Sequence, residues 1–233
     1  MTDPENRLKD TILLATLPHV AFDGWSVKAL VAGAADAGLA RQDLLHAFPD
    51  GVADAIAHWS DWADRRAVDA MESADVVHMK THRRIAMGVW ARLEAMGRWR
   101  EAARKATAWL AAPRHASLAS RLTYRTCDAI WRAAGDVSTD FNFYTKRGLL
   151  GGVVLSTTLY WLQDRSEGNQ ATSAFLDRRI AEVLRIGGHI GRARAALERF
   201  DPAGLLSRFR AEHLIERDCN RRSGGLYQPP CRP

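Results

Sequence analysis

Ala134-Gly-Asp-Val-Ser-Thr-Asp-Phe-Asn-Phe-Tyr-Thr-Lys-Arg147 joins two long helical runs, and its reading decides the fold. Gly135 and Asp136 predict the end of the helix that carries Trp131, because glycine accepts the left-handed backbone a C-cap needs. Ser138, Thr139 and Asp140 are three successive candidate N-caps for the next helix. Phe141, Phe143, Tyr144, Lys146 and Arg147 follow, then an apolar run over 148–162. On a helix Phe143 points roughly opposite Phe141, so both cannot face one core. Phe143 and Tyr144, beside cations at a helix mouth, form a candidate exposed aromatic patch; the alternative is ordinary core burial.

Outward from this junction nearly every segment predicts helix, with apolar residues recurring at three- and four-residue steps. Leu8, Ile12, Ala15 and His19 mark a first helix that stops near Asp23-Gly24. Ser26 caps a second over 27–37, which Gly38 ends. A short third helix over 41–47 is broken by Phe48-Pro49-Asp50-Gly51. A long fourth carries Val52, Ile56, Trp59 and Ala63. Gly97 divides two further helices bearing Trp90, Trp99 and Trp109, and Pro113 admits another over about 114–134. Beyond the junction helix, 164–169 reads as a polar loop, and helix returns over about 171–197. No strand-like alternation persists. The expected class is all-α: a helix-turn-helix-like head over 1–50, a helical domain over 51–199, and an amphipathic helix with a flexible tail over 200–233.

Composition narrows the function classes. With 47% hydrophobic and 26% charged residues, the chain is built like a globular protein. The longest apolar run, interrupted by Ser156, Thr157 and Thr158, is too short to span a bilayer. The start, Met-Thr-Asp-Pro-Glu-Asn-Arg7, has neither an apolar signal core nor a transit pattern, so the expected compartment is the cytoplasm. Cys127, Cys219 and Cys231 lack metal-ligand spacing and read as free thiols. His78 and His82, at i and i+4, lack the glutamate and third ligand of a zinc protease and read as surface histidines. Gly148, Gly151 and Gly152 have no following Gly-Lys-Ser/Thr, so they suit close helix approach or space for a ligand. No catalytic set is present, and the expectation is a non-enzyme.

The junction, read with its flanks, resembles a known family. Asp128-Ala-Ile-Trp131, Ala134-Gly-Asp136, Ser138-Thr-Asp-Phe-Asn142, Tyr144-Thr145, Arg147 and Leu176-Asp-Arg-Arg-Ile180 are similar to the signature of the coenzyme Q protein nine family. The resemblance runs over roughly residues 7–200 and is densest over 122–179. The family often carries Trp where this chain has Phe143, so an indole N–H contact is absent there. The resemblance implies a TetR-like fold, isoprenoid-lipid binding without a resident cofactor, and assistance to the di-iron hydroxylase that acts on demethoxy-ubiquinone. It also implies that Asp128, Asp140, Phe143, Tyr144 and Arg147 form the interface with that hydroxylase. Trp131 suits either that patch or the interior.

A TetR-like fold commonly encloses an apolar cavity and forms homodimers through its last helices, so a homodimer is expected. One apolar wall for a lipid is supplied by Leu149, Leu150, Val153, Val154, Thr157 and Trp161, with Ile130 and Trp131 opposite. Core packing is the alternative for each of these residues singly. The tail helix begins after Asp201-Pro202 and gathers Leu205, Leu206 and Phe209 on one arc beside Arg208 and Arg210, as an interfacial membrane helix does. Glu212 and Glu216 intrude on that arc, and docking on its own domain is the alternative.

The same fold raises a rival reading, a TetR-type transcriptional regulator with a hydrophobic effector. Charge argues against it. Residues 1–50 hold four Lys/Arg and seven Asp/Glu, a net of −3, although the whole chain is +6. Residues 192–233 hold nine Arg and five acids, a net of +4. Phosphate neutralisation dominates DNA affinity, so an acidic head is poorly built for it, and no nucleic-acid partner is expected.

Overall fold

The computed structural model describes residues 4–74, 78–136 and 141–198, with the backbone alone at 141–143 and 186–198. These residues form α1 (Pro4–Asp23), α2 (Val27–Asp36), α3 (Arg41–Ala47), α4 (Val52–Ser73), α5 (Thr81–Met96), α6 (Arg100–Leu110), α7 (Ala116–Ala133), α8 (Phe141–Trp161) and α9 (Gln170–Glu198). No strand occurs among them, so the chain is all-α, as its residue pattern predicts.

Local chemistry sets the helix ends. Ser26 Oγ accepts from the Ala29 N–H at 3.2 Å and starts α2. Gly38, at φ 69°, ends it: the N–H groups of Gly38 and Leu39 bond the carbonyls of Ala35 and Ala34. The same motif closes α7. Gly135 takes φ 88°, and the N–H groups of Gly135 and Asp136 bond the carbonyls of Arg132 and Trp131. The helix end predicted at Gly135-Asp136 is therefore present; the candidate caps Ser138, Thr139 and Asp140 lie outside the described residues.

Two boundaries differ from the sequence reading. Lys80 is extended (ψ 143°) and α5 starts only at Thr81, so His78 precedes the helix and shares no face with His82. Pro113 opens a short 3-10 turn, Pro113–His115, where the His115 ring stacks on Trp109 at 3.4 Å before α7 begins.

Ile12, Leu17, Leu30, Phe48, Ile56, Trp59, Leu122 and Trp161 belong to one buried cluster, so the N-terminal helices share a core with those that follow. Polar ties reinforce this. Trp25 Nε1 donates to the Ala102 carbonyl at 3.0 Å, joining α1–α2 to α6. Asp10 on α1 accepts from Arg65 and from His58 Nε2 on α4, each at 2.7 Å. Burial holds the His58 imidazole below its ordinary pKa, so it meets Asp10 as a neutral donor at neutral pH. A second cluster joins α4, α5, α7, α8 and the start of α9 through Met71, Val89, Ile130, Leu150, Val153 and Leu176. Cys127 lies in it, and burial pushes its thiol up to about 12, which keeps it unreactive at neutral pH.

Two compact units divide the chain at 183/184. The features below belong to the first. In the second, the described part is the continuation of α9 to Glu198, so the predicted membrane helix with Leu205, Leu206, Arg208, Phe209 and Arg210 lies outside the described residues. Among the described residues no helix is long and apolar enough to cross a membrane.

Asp164 connects α8 to α9. Its Oδ1 accepts from the Ser166 N–H and hydroxyl (2.8 and 2.7 Å), and its Oδ2 from the Thr172 N–H and hydroxyl (2.8 and 2.5 Å). The Thr172 hydroxyl bond foremost, with the Ser166 bonds, holds this carboxyl well below the usual carboxylate range. A depressed folded pKa contributes stability that is complete above the unfolded value of about 3.9 and is lost as pH falls toward the folded value. Asp164→Asn is expected to cost about 1–2 kcal/mol at pH 7. In urea-unfolding series it should also flatten the fall in stability between about pH 5 and pH 2.

Candidate functional site

The α7–α8 junction is tied by ion pairs. Arg147 lies on the inner side of α8 with its side chain 2% exposed. Its Nε and Nη2 reach Asp128 Oδ1 at 2.8 and 2.7 Å, and its Nη1 reaches Asp136 Oδ2 at 3.4 Å. Arg132 meets the other Asp128 oxygen, and Lys146 the other Asp136 oxygen, each at 2.8 Å. The Lys146 ammonium lies over the Trp131 ring, 5.3 Å from its centroid, while Trp131 Nε1 donates to the Lys146 carbonyl at 3.2 Å. Two carboxylates therefore draw the Arg147 charge inward, away from the surface role the sequence suggested. Tyr144 is 67% exposed. Asp140 lies outside the described residues, and Phe143 contributes only its helical backbone.

A cavity of about 340 Å³ opens between α4, α5, α6, α7 and α8. Ile56, Trp59, Met96, Leu122 and Val154 wall it, with Ala103 and Ala106 on α6 leaving the volume that larger side chains would fill. Leu155 and Leu159, each about half exposed, lie at its α8 side. Its threonines are mostly self-satisfied: Thr107, Thr123 and Thr158 donate to the carbonyls one turn back, at 2.8–2.9 Å. The exception to an apolar wall is Arg92 with Ser60 and Thr126.

Of the lipid-wall residues suggested by sequence, Val154 lines this cavity. Ile130, Leu150 and Val153 pack in the second core cluster, with Trp131 against its edge, and Trp161 packs in the first. Thr157 is fully buried with no partner for its hydroxyl among the described residues, and Leu149 is half-buried. The cavity-lining face of α8 (Val154, Leu155, Thr158, Leu159) is rotated about 125° from the face that holds Leu150, Val153, Thr157 and Trp161. Sequence reasoning missed the α6 alanines and Arg92. Their signals were small residues at turn spacing beside bulky tryptophans, and one arginine among Val89, Leu93 and Met96.

The mouth and the junction share one side of α8. Tyr144, Gly148, Gly152, Leu155 and Leu159 fall within one arc of the helix, and a methyl group built on Gly148 or Gly152 would meet nothing within 4 Å among the described residues. Gly151, by contrast, faces Thr123 and Cys127 of α7.

A sequence model of the COQ9 family matches residues 116–187. The ubiquinone biosynthesis protein COQ9, mitochondrial, of Bos taurus is 29% identical over 192 residues, covering 79% of this chain and 60% of that protein. Its counterpart COQ9-A of Xenopus laevis is 30% identical over 195 residues, covering 81% and 61%. The chain thus spans about three fifths of the length of these curated relatives. Among solved structures, a TetR transcriptional regulator from Nitrosomonas europaea aligns with a TM-score of 0.63 at 21% identity, over 76% of this chain and 98% of that one. That likeness is one of fold, and the fold is TetR-like. The family match covers α7, the junction and α8, where the resemblance of the residues was densest, and over most of its length the chain is similar to COQ9 proteins.

Proposed function

We propose that this chain is a non-catalytic, lipid-binding accessory protein of ubiquinone biosynthesis. It takes an isoprenoid quinone intermediate at the cytoplasmic face of a membrane and presents it to the di-iron demethoxyubiquinone hydroxylase. The observation that carries this reading is an apolar cavity whose mouth shares a helix face with exposed Tyr144. Tyr144 and Leu155 are eleven residues apart, so a partner seated on Tyr144 lies about 16 Å along α8 from the mouth. Delivery over that distance spares an insoluble tail from water.

In this reading Tyr144, with Phe143 and Asp140, contacts the hydroxylase, and the Asp128–Arg147 pair holds the helix that presents them. The tail residues Leu205, Leu206 and Phe209 dip into the lipid headgroups while Arg208 and Arg210 meet phosphates. The open stripe at Gly148 and Gly152 leaves room for the homodimer expected of the fold. The regulator reading gains nothing from the head: Asp43 accepts from the Ala40 N–H at 2.8 Å, which sets a carboxylate at the start of α3 where a phosphate contact is needed.

Two variants separate cavity from patch. Ala106→Phe fills the cavity and is expected to remove most co-purifying isoprenoid lipid, measured by mass spectrometry of extracts. Tyr144→Ala is expected to keep the lipid and to lower conversion of demethoxyubiquinone in cells that depend on this chain. Wild-type protein free of isoprenoid lipid would reject the cavity's role, and unchanged conversion with Tyr144→Ala would reject the patch.

A further inference from the structure

Arg92 has more donors than partners, and it faces the cavity. Its Nε donates to Asp64 Oδ1 at 2.7 Å, one Nη2 hydrogen to Ser60 Oγ at 3.0 Å, and one Nη1 hydrogen only to the Met96 sulfur at 3.8 Å. A guanidinium has five N–H groups, and a thioether is a weak acceptor. Two N–H groups, one on each terminal nitrogen, thus have no partner among the described residues. The side chain is only 12% exposed. Buried donors without acceptors are costly, and such groups mark places where something else binds. A second donor stands nearby: Trp59, another wall of the cavity and 3% exposed, has no acceptor for its Nε1 hydrogen among the described residues.

The supporting network fixes this guanidinium. Asp64 is almost fully buried and accepts from both Arg92 and the Thr126 hydroxyl, the latter at 3.0 and 2.9 Å to its two oxygens. Arg92 is therefore already charge-neutralised in a poorly hydrated wall. A ligand carboxylate or phosphate on the remaining N–H groups would place a second anion beside Asp64, with one cation between them. A neutral carbonyl or ether oxygen accepts the same hydrogen bonds without that repulsion.

We propose that the cavity is a headgroup site: Arg92 donates hydrogen bonds to a neutral oxygen acceptor on an otherwise apolar ligand, which enters head first. This deepens the lipid-binding reading above and rests on it. Geometry sets the direction. Arg92 bonds Ser60, which adjoins buried Trp59 and lies one turn from buried Ile56, and it is tied through Asp64 to buried Thr126, whereas the lining residues Ala111, Leu155 and Leu159 are exposed. At about 340 Å³ the volume is near the lower end of ligand cavities, too small for a ring and a whole polyprenyl chain together. The head is held inside, and the tail leaves across Leu155 and Leu159 onto the open side of α8.

The test uses the full chain and diphenylhexatriene, a headless fluorescent hydrocarbon, displaced by decyl-substituted dimethoxybenzoquinone, by dodecane or by decanoate. The quinone is expected to displace the probe roughly tenfold better than dodecane, and decanoate no better than dodecane. Arg92→Lys keeps the ion pair with Asp64 but loses the fork, and should bring quinone to within about twofold of dodecane while leaving dodecane unchanged. If that variant melts early, the Asp64→Asn/Arg92→Met pair, which removes both charges, gives the same readout. A probe that does not bind the wild type overturns the lipid reading and this proposal together. A probe displaced by quinone equally well from wild type and Arg92→Lys overturns the headgroup site and leaves the cavity. Preference for decanoate overturns the choice of a neutral head.

Discussion

Arg147→Met is expected to destabilise the fold by about 3 kcal/mol, the low end for breaking a buried ion pair. The reason is what remains behind. Asp136 is 5% exposed and Asp128 21%, and both lose an arginine that lies between them. The loss stays at the low end because Lys146 still meets Asp136 and Arg132 still meets Asp128. For a chain of this size such a change lowers the melting midpoint by roughly 10 °C. The pair also carries a positional consequence. Arg147, with the Trp131–Lys146 contacts, pins α8 to the end of α7, less than one turn beyond Tyr144. A cycle of Arg147→Met, Asp128→Asn and the double variant, read by urea unfolding, should give a coupling of about 1–3 kcal/mol. Additive costs would show that the two residues act separately, and that Arg147 does not set the patch through Asp128.

That contrast shows what a sequence carries and what it hides. The C-cap at Gly135 was legible because its chemistry is local: one residue must take positive φ, and only glycine does so without strain. The extents of α3 and the break at Phe48–Gly51 were legible for similar reasons. Burial of Arg147 was not, since it depends on two carboxylates, nineteen and eleven residues upstream, converging on one side chain. An arginine beside exposed Tyr144 looks the same in sequence whether it points out or in. The cavity was half legible. The α8 run is apolar on most of its circumference, so periodicity could not say which part packs on α7 and which part faces empty volume. That choice is made by α6, whose Ala103 and Ala106 are too small to close the gap. Arg92 was passed over because a single charged residue at a helical position reads as surface until its burial is known.

Two glycine-to-alanine changes, each adding one methyl group, should move stability in opposite directions. Gly33→Ala is expected to cost about 3 kcal/mol, at the upper end of what overpacking a core does. Its methyl group would lie 2.2 Å from Thr16 Oγ1 and 2.6 Å from the Thr16 backbone N and Cα. A side chain could swing aside, but backbone cannot, so α1 and α2 must separate. Thr16 is itself fully buried and its hydroxyl is bonded to the Ile12 carbonyl at 2.8 Å, which removes the easiest relief. Gly152→Ala meets nothing within 4 Å among the described residues on the exposed side of α8, and alanine favours a helix interior by up to about 1 kcal/mol. Thermal unfolding of the isolated chain should therefore place Gly33→Ala roughly 10 °C below the parent and Gly152→Ala slightly above it. A Gly33→Ala protein with an unchanged midpoint would mean that α1 and α2 do not approach so closely. Gly152 carries a second consequence, because the added methyl group lies on the side shared by Tyr144 and the cavity mouth. If a second copy or the hydroxylase packs closely there, Gly152→Ala strengthens the isolated fold and weakens the association. Opposite signs in those two measurements are the signature of an open face kept smooth for a partner.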